Sequence, residues 1–353
     1  LEFGLCAHRR LPVLSLTIAY LPGRDYTWPG KSREAPENDQ MTEYVLRRIA
    51  GMVVVMFIVA TIVFLISHII PGDPAAVMLG PAATADDIAA LRARLGLDAP
   101  LPVQYLDFMR SVVALRLGDS IFLSRSVMQA LIERAPLTIQ LTLMAAGLAT
   151  VLGVPIGVLS AVKRGSVVDQ VVTAFSMAAA SLPSFWIGLT LIEYLAVRWH
   201  VLPVAGYGPP GAGLLERLRY LVMPAIAVGV PNSALIIRFT RTSMLDVLHE
   251  DYVRTARAKG LHPATVIIKH AFRNARTQVL TVIGLTVAGL IGGAIVTETV
   301  FALPGVGNLV VGAVLRRDYP VIQGALLVIS GIYVLINLGI DLLYAVLDPR
   351  VRY

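Results

Sequence analysis

Cysteine is almost missing from this chain: Cys6 stands alone in 353 residues, so no intramolecular disulfide can brace the fold. The six histidines are scattered outside any CxxC, HExxH or similar spacing, which leaves no metal framework written in the sequence. Charge is scarce too. Asp, Glu, Lys and Arg make up 15% of the residues, against roughly 25% in soluble domains. No phosphate-cradling GxxxxGK[ST] loop is present: Gly30-Lys31-Ser32 comes nearest, but Asp25 stands where the first glycine is required. Ser/His/Asp sets and carboxylate pairs are also lacking, so no catalytic residue is assigned. What the chain has instead is apolar length. Hydrophobic residues reach 56% and mean hydropathy is +0.72, which excludes an ordinary water-soluble domain. The net charge of +7 does not point to nucleic acid, because the basic residues stand beside apolar segments rather than in aromatic-laced patches.

A helix needs about 20 mostly apolar residues to cross a bilayer, where unpaired backbone amides find no water. Six stretches free of Asp, Glu, Lys and Arg meet or approach that length: Ile49–Ile70, Ala135–Val162, Val171–Ile192, Tyr220–Ile237, Thr277–Thr297 and Val321–Ile340. In the second, Pro136 suits a helix start and Pro155 a kink, giving one tilted helix. Pro224 and Pro231 interrupt the fourth, and Leu235–Leu248 continues it out of the membrane. The expected fold is therefore an all-α integral membrane protein with six spans. Arg47, Arg48, Lys163, Arg164 and the run from Arg238 to Arg276 collect at one side, with Arg350 and Arg352. The short loops opposite offer only Arg198, Arg217, Arg219, Arg316 and Arg317. The positive-inside rule then puts both termini in the cytoplasm. Residues 1–40 lack the pattern of the rest and read as an expression or upstream-translation remnant, with Met41 as the natural start.

Two loops exceed mere connection. The outer one, 71–134, carries helix signals of its own: Thr84 as cap, Asp86 and Asp87 in the first turn, Ile88, Leu91 and Leu95 on one face, and Gly96 at the end. It reads as a small cap, with six basic residues against seven acidic ones. Such a cap either packs over the helix ends or gates substrate and docks a delivering protein. The other loop, 246–276, begins helically and breaks at Gly260-Leu261-His262-Pro263, where Gly260 ends one helix and Pro263 starts the next. Tyr252, Ala256, Lys259 and Leu261 form a protrusion with a small-residue flank at Ala256 and Ala258, open to close approach by another protein. The alternative is a basic loop held at anionic lipid headgroups.

At this loop the chain resembles the inner-membrane permeases of ATP-binding-cassette importers, in their dipeptide, oligopeptide and nickel branch. The resemblance is carried by Arg254-Thr255-Ala256 and Gly260, flanked by Tyr252, Ala258, Lys259, Leu261 and Arg273-Asn274-Ala275. It extends through Pro71-Gly72-Asp73-Pro74, LGLDAPLPVQYL at 95–106, SLPSFWIGL at 181–189 and LPVAGYG at 202–208. ETVFALPGVGNLVVGAV at 298–314, RRDYPVIQG at 316–324 and LDPRVRY at 347–353 complete it, so that it covers 41–353.

The resemblance implies a type I importer permease in a bacterial inner membrane, with residues 252–261 as the loop that couples to an ATPase. It implies two ATPase subunits holding ATP and Mg, a second permease of similar fold, an external binding protein and surrounding lipid, and no cofactor on this chain. Gln278 departs from the family's usual proline near the start of the fifth helix, and Arg276 from a usual hydrophobic residue. Pro183, Phe185 and Trp186 break the third stretch, and with Glu298 they are candidates to line a substrate pathway. The ordinary reading of the first three is a kink with interfacial aromatic packing. Short peptides are the favoured cargo, nickel or another small solute the alternative. A secondary transporter would need ionisable groups in an internal cavity. Glu193, Arg238, Glu298 and Asp341 are the candidates, and all lie at expected helix ends where side chains snorkel to water. A passive channel would leave the coupling loop without a role.

Overall fold

The fold is built on one tight helix seam. The structure, a computed structural model, describes residues 37–347 apart from 70–72, 81–82, 95, 121 and 210, so Pro71-Gly72, Leu95, residues 1–36 and the 348–353 tail lie outside the described residues. Helix α1 (Glu37–Ile69) is followed by three short helices, α2 (Pro74–Leu79), α3 (Ala85–Arg94) and α4 (Leu101–Val113). Then come α5 (Val127–Val162), α6 (Val167–Ser181), α7 (Ser184–Leu191, continued as a π-helix to Arg198) and α8 (Leu214–Leu248). The remainder is α9 (Asp251–Ala258), α10 (Pro263–Thr265), a π-helical turn over Val266–Phe272, α11 (Arg273–Val300), α12 (Val306–Arg316) and α13 (Tyr319–Leu347).

Down α5, Leu137, Leu141, Ala145, Ala149, Gly153, Gly157 and Ala161 recur every fourth residue, and all are buried. Residues at that spacing share one helix face, and small ones let a neighbouring backbone come close. A methyl group added at Gly153 would sit 2.6 Å from Ile236 Cγ2, and one at Gly157 2.8 Å from the Ile237 carbonyl oxygen. Conversely, a methyl at Gly229 of α8 would meet the Ala145 carbonyl at 2.9 Å. This seam of α5 and α8 is the core on which α6, α11 and α12 pack.

Five helical segments are long and apolar enough to cross a membrane, within α1, α5, α8, the continuous Pro263–Val300 run and α13. The third expected span differs from a single rod: α6 and α7 meet at 94° across Leu182-Pro183. Pro183 takes extended backbone angles and lacks the N–H needed to continue α6, so the chain turns there. Three boundaries also move. Helix α5 starts at Val127, where Ser126 Oγ accepts from the Gln129 N–H, so Pro136 lies inside it. Helix α8 passes through Pro224 and Pro231 unbroken from Leu214, placing Arg217 and Arg219 on a helix. The fifth span begins at Pro263 rather than near Thr277, and Gln278 sits inside α11.

The cap is held by its motif residues. Asp73 starts α2 by accepting from the Ala75 N–H (3.0 Å), and its other oxygen accepts from Arg92 Nη1 (2.8 Å). Arg92 Nε donates onward to Asp98 (2.9 Å), so one guanidinium ties α2, α3 and the turn after α3 together. The Arg92 bond holds the Asp73 carboxyl below the usual carboxylate range. Thr84 caps α3 as the sequence suggests, and Asp87 returns the bond by accepting from the Thr84 N–H (3.2 Å) and hydroxyl (2.6 Å). Tyr105 of α4 bonds Thr61 of α1 (2.9 Å) and meets Phe64 edge-on, while Ser120 donates to the buried Asp318 ahead of α13 (2.6 Å). These contacts fasten residues 73–120 to the side of α1 and to the start of α13.

Candidate functional site: the loop at the basic end

Helix α8 delivers the chain to α9 across only His249 and Glu250. The short helix is strongly amphipathic. Val253 and Ala256 are buried, facing Val266 beyond the turn and Val247 and Leu248 at the end of α8. Burying a valine side chain contributes about 1.5–3 kcal/mol, enough to dock a two-turn helix whose own helical preference is small. The opposite face shows Tyr252, Arg254, Thr255, Ala258, Lys259, Gly260 and Leu261 to solvent. Ala256 therefore differs from the expected open flank: its methyl is taken by the chain's own core, and Ala258 alone of the two alanines faces out.

Gly260 terminates α9 with φ +73°, and a Cβ built there would touch nothing within 4 Å. Conformation, not space, requires glycine at this position. His262 Nδ1 then accepts from the Ala264 N–H (3.3 Å) and Pro263 occupies the first helical turn, restarting the helix. The restart is tied back to α9, because Asn274 Nδ2 donates to the Tyr252 hydroxyl (2.6 Å). Ala275 beside it is buried with Met244, Ala161 and Ala271. The motif residues thus hold α9 against both α8 and α11 while leaving one face open.

Near this loop lies a cluster that sequence reasoning overlooked. Asp169, in the first turn of α6, accepts from Arg241 Nε (2.7 Å) and Nη2 (2.8 Å), from Ser160 Oγ (2.5 Å) and from the Gly165 N–H (3.0 Å). Its side chain is 7% exposed. Such bidentate, fully donor-matched carboxylates are the strong kind of ion pair. Arg241 was visible in sequence only as one more basic residue at the membrane edge. Its partner lies 72 residues away, and no periodicity announces that pairing.

The pathway candidates separate. Phe185 and Trp186 are about half exposed and Pro183 is exposed, all at the α6–α7 bend. Glu298 is not with them, and its expected snorkelling to water is wrong. It is fully buried, accepting from Thr138 Oγ1 (2.6 Å) and the Asn308 N–H (3.1 Å), while Thr138 Oγ1 accepts from the Val306 N–H (2.9 Å). A methyl at Gly305 would lie 2.3 Å from the Glu298 carboxyl carbon, so the glycines of the 298–314 motif make room for this carboxylate. The helix end here folds back over itself into α12, so water does not reach the carboxylate. Of the other ionisable candidates, Asp341 pairs with Arg48 (2.8 Å), Glu193 with Arg198 (2.9 Å), and Arg238 is exposed.

Comparison with known proteins matches residues 153–353 to the binding-protein-dependent transport system inner membrane component family, and residues 41–142 to its N-terminal companion family. The chain is 45% identical over 313 residues to the probable peptide ABC transporter permease protein y4tP of Sinorhizobium fredii, covering 89% of this chain and 100% of that one. It is 41% identical over 339 aligned positions to the dipeptide transport system permease protein DppB of Escherichia coli K12, covering 89% and 99%. Among solved structures, an inward-facing form of the MetNI methionine ABC transporter superposes with a TM-score of 0.53 at 18% identity. That match covers 63% of this chain and 97% of the other, a likeness of fold alone.

Proposed function

The chain belongs to the binding-protein-dependent transport system inner membrane component family, and from that premise we propose that it is one of two permease subunits of an ATP-driven importer of di- or oligopeptides. The observation that supports this reading best is α9: a short helix docked by Val253 and Ala256 on two spans, with its outer face unused. Two ATPase subunits, carrying ATP and Mg, grip Tyr252, Arg254, Thr255, Ala258, Lys259, Gly260 and Leu261, while Ala256 serves the grip by seating the helix. The basic end then faces the cytoplasm, in keeping with the positive-inside rule, and the cap faces an external binding protein.

When ATP draws the ATPases together, the push on α9 enters α8 through the two-residue link and α11 through the Tyr252–Asn274 bond. The spans tip between inward- and outward-facing states about a pathway shared with a second, homologous permease. Pro183, Phe185 and Trp186 stand at the bend nearest that pathway. Peptide cargo follows the names of the two curated relatives; selectivity resides mainly in the external receptor. The test is reconstitution of the complex in proteoliposomes. Uptake of dialanine that requires ATP and survives collapse of the ion gradient is the expected result, and uptake that follows the gradient without ATP would overturn it.

A further inference from the structure

The way α6 is attached differs from that of every long helix beside it. Its buried residues are only Asp169, Ser176 and Ala179, whereas Val167, Val171, Phe175 and Met177 lie exposed. Near the basic end, the buried polar contact that ties it to its neighbours is the four-donor carboxylate of Asp169, gripped by the end of α5 (Ser160), the connecting turn (Gly165) and α8 (Arg241). Helix α8 does not depend on this contact for its own place, because the α5 seam already fixes it.

Position adds to the case. Arg241 lies seven residues, about 10 Å of helix, before the end of α8, where α9 begins. Asp169 lies twelve residues, about 18 Å, before the end of α6, where the 94° break opens. A displacement of α9 thus reaches Arg241 through continuous helix, and the rigid bidentate fork transfers it to α6 without slack. Without the fork, the transfer would rest on the apolar packing of α6 against α8 alone.

We propose that Asp169 and Arg241 form a positioning clamp that carries movement of α9 into α6 and the bend at Pro183, so coupling nucleotide turnover to the substrate pathway. This rests on the permease reading above and deepens it. The clamp touches neither nucleotide nor cargo. Its loss leaves an importer complex that assembles and hydrolyses ATP but no longer answers to its loaded receptor.

The experiment uses the full complex of both permeases and the ATPases in nanodiscs, with its binding protein and dialanine as the probe. In wild type, failure of an ATPase to copurify, or of the loaded receptor to stimulate it, would count against the permease reading itself. Given a responsive wild type, Asp169→Asn and Arg241→Lys are expected to keep basal ATPase within about twofold. Receptor stimulation should fall about tenfold, within the range of ordinary allosteric coupling. A second arm separates coupling from mere stability. In a Cys6→Ser background, Asp169→Cys with Arg241→Cys should be uncoupled until a short bis-maleimide joins the two thiols, and the bridge should restore stimulation. Normal stimulation in Asp169→Asn overturns the proposal and leaves the permease reading intact. So does a loss of stimulation that tracks a lowered melting temperature and is not recovered by the bridge.

Discussion

Gly260 offers the sharpest test of the loop, because its structural and functional demands can be separated. At φ +73° an L-residue costs about 1–2 kcal/mol, least for asparagine, and the open surroundings add no steric penalty. That is small beside a typical domain stability of about 5–15 kcal/mol. It is no larger than what burial of Val253 alone contributes to docking α9, about 1.5–3 kcal/mol. The fold and the seating of α9 should therefore survive substitution. Gly260→Asn should behave close to wild type and Gly260→Ala should show a modest defect. Gly260→Trp adds a large side chain to the exposed face that the proposed function gives to the ATPase, and is expected to cut receptor-stimulated ATPase at least about tenfold, the equivalent of about 1.4 kcal/mol in coupling. Each variant is measured as assembled complex for copurified ATPase, basal and stimulated turnover, and melting temperature. A folded Gly260→Trp complex with full assembly and stimulation would refute the assignment of this face. Unfolding of Gly260→Ala would refute the strain argument.

At the helix seam, Gly157→Val should abolish recovery of folded protein, since the Ile237 carbonyl at 2.8 Å cannot yield. Gly147→Ala, with nothing within 4 Å, should be neutral or stabilising by up to about 1 kcal/mol; fluorescence-detected size exclusion after heating compares the two. Thr138→Val strips the Glu298 carboxylate and the Val306 N–H of one partner each. It should destabilise by about 1–3 kcal/mol for each orphaned group, read as a drop in melting temperature. In the cap, a carboxyl held low by Arg92 stabilises the fold above the ordinary Asp value of about 3.9. That contribution disappears as pH falls through the lower, folded value. Protection factors against hydrogen exchange over residues 73–113, corrected for the intrinsic rate at each pH, should accordingly fall below about pH 4 in wild type, and Arg92→Ala should already show the lower protection at pH 7.

Much of this molecule was readable before any coordinates. Apolar runs near 20 residues announce spans because a bilayer core admits backbone only when it is internally bonded. Thr84 with Asp87, and Gly260 with Pro263, announce helix ends because capping is local chemistry between residues three or four apart. Gly305 and Gly307 stood in the quoted motif, but their reason did not: both approach the Glu298 carboxylate, a partner the chain reaches only by folding back. The small residues at every fourth position from Ala145 to Ala161 are a local signal of close helix packing, although the identity of the partner helix is not local.

Composition, hydropathy and the order of short motifs were enough to establish a helical membrane protein of a recognisable kind, since each depends on neighbours in the chain and on the solvent they meet. Tertiary structure decided which ionisable groups are buried, which face of α9 is exposed, where the broken span turns, and that Asp169 meets Arg241. Those outcomes depend on which helices lie side by side. A charge near a helix end looks the same in sequence whether it lies exposed, as Arg198 does, or inside a ring of donors from three other segments, as Asp169 does.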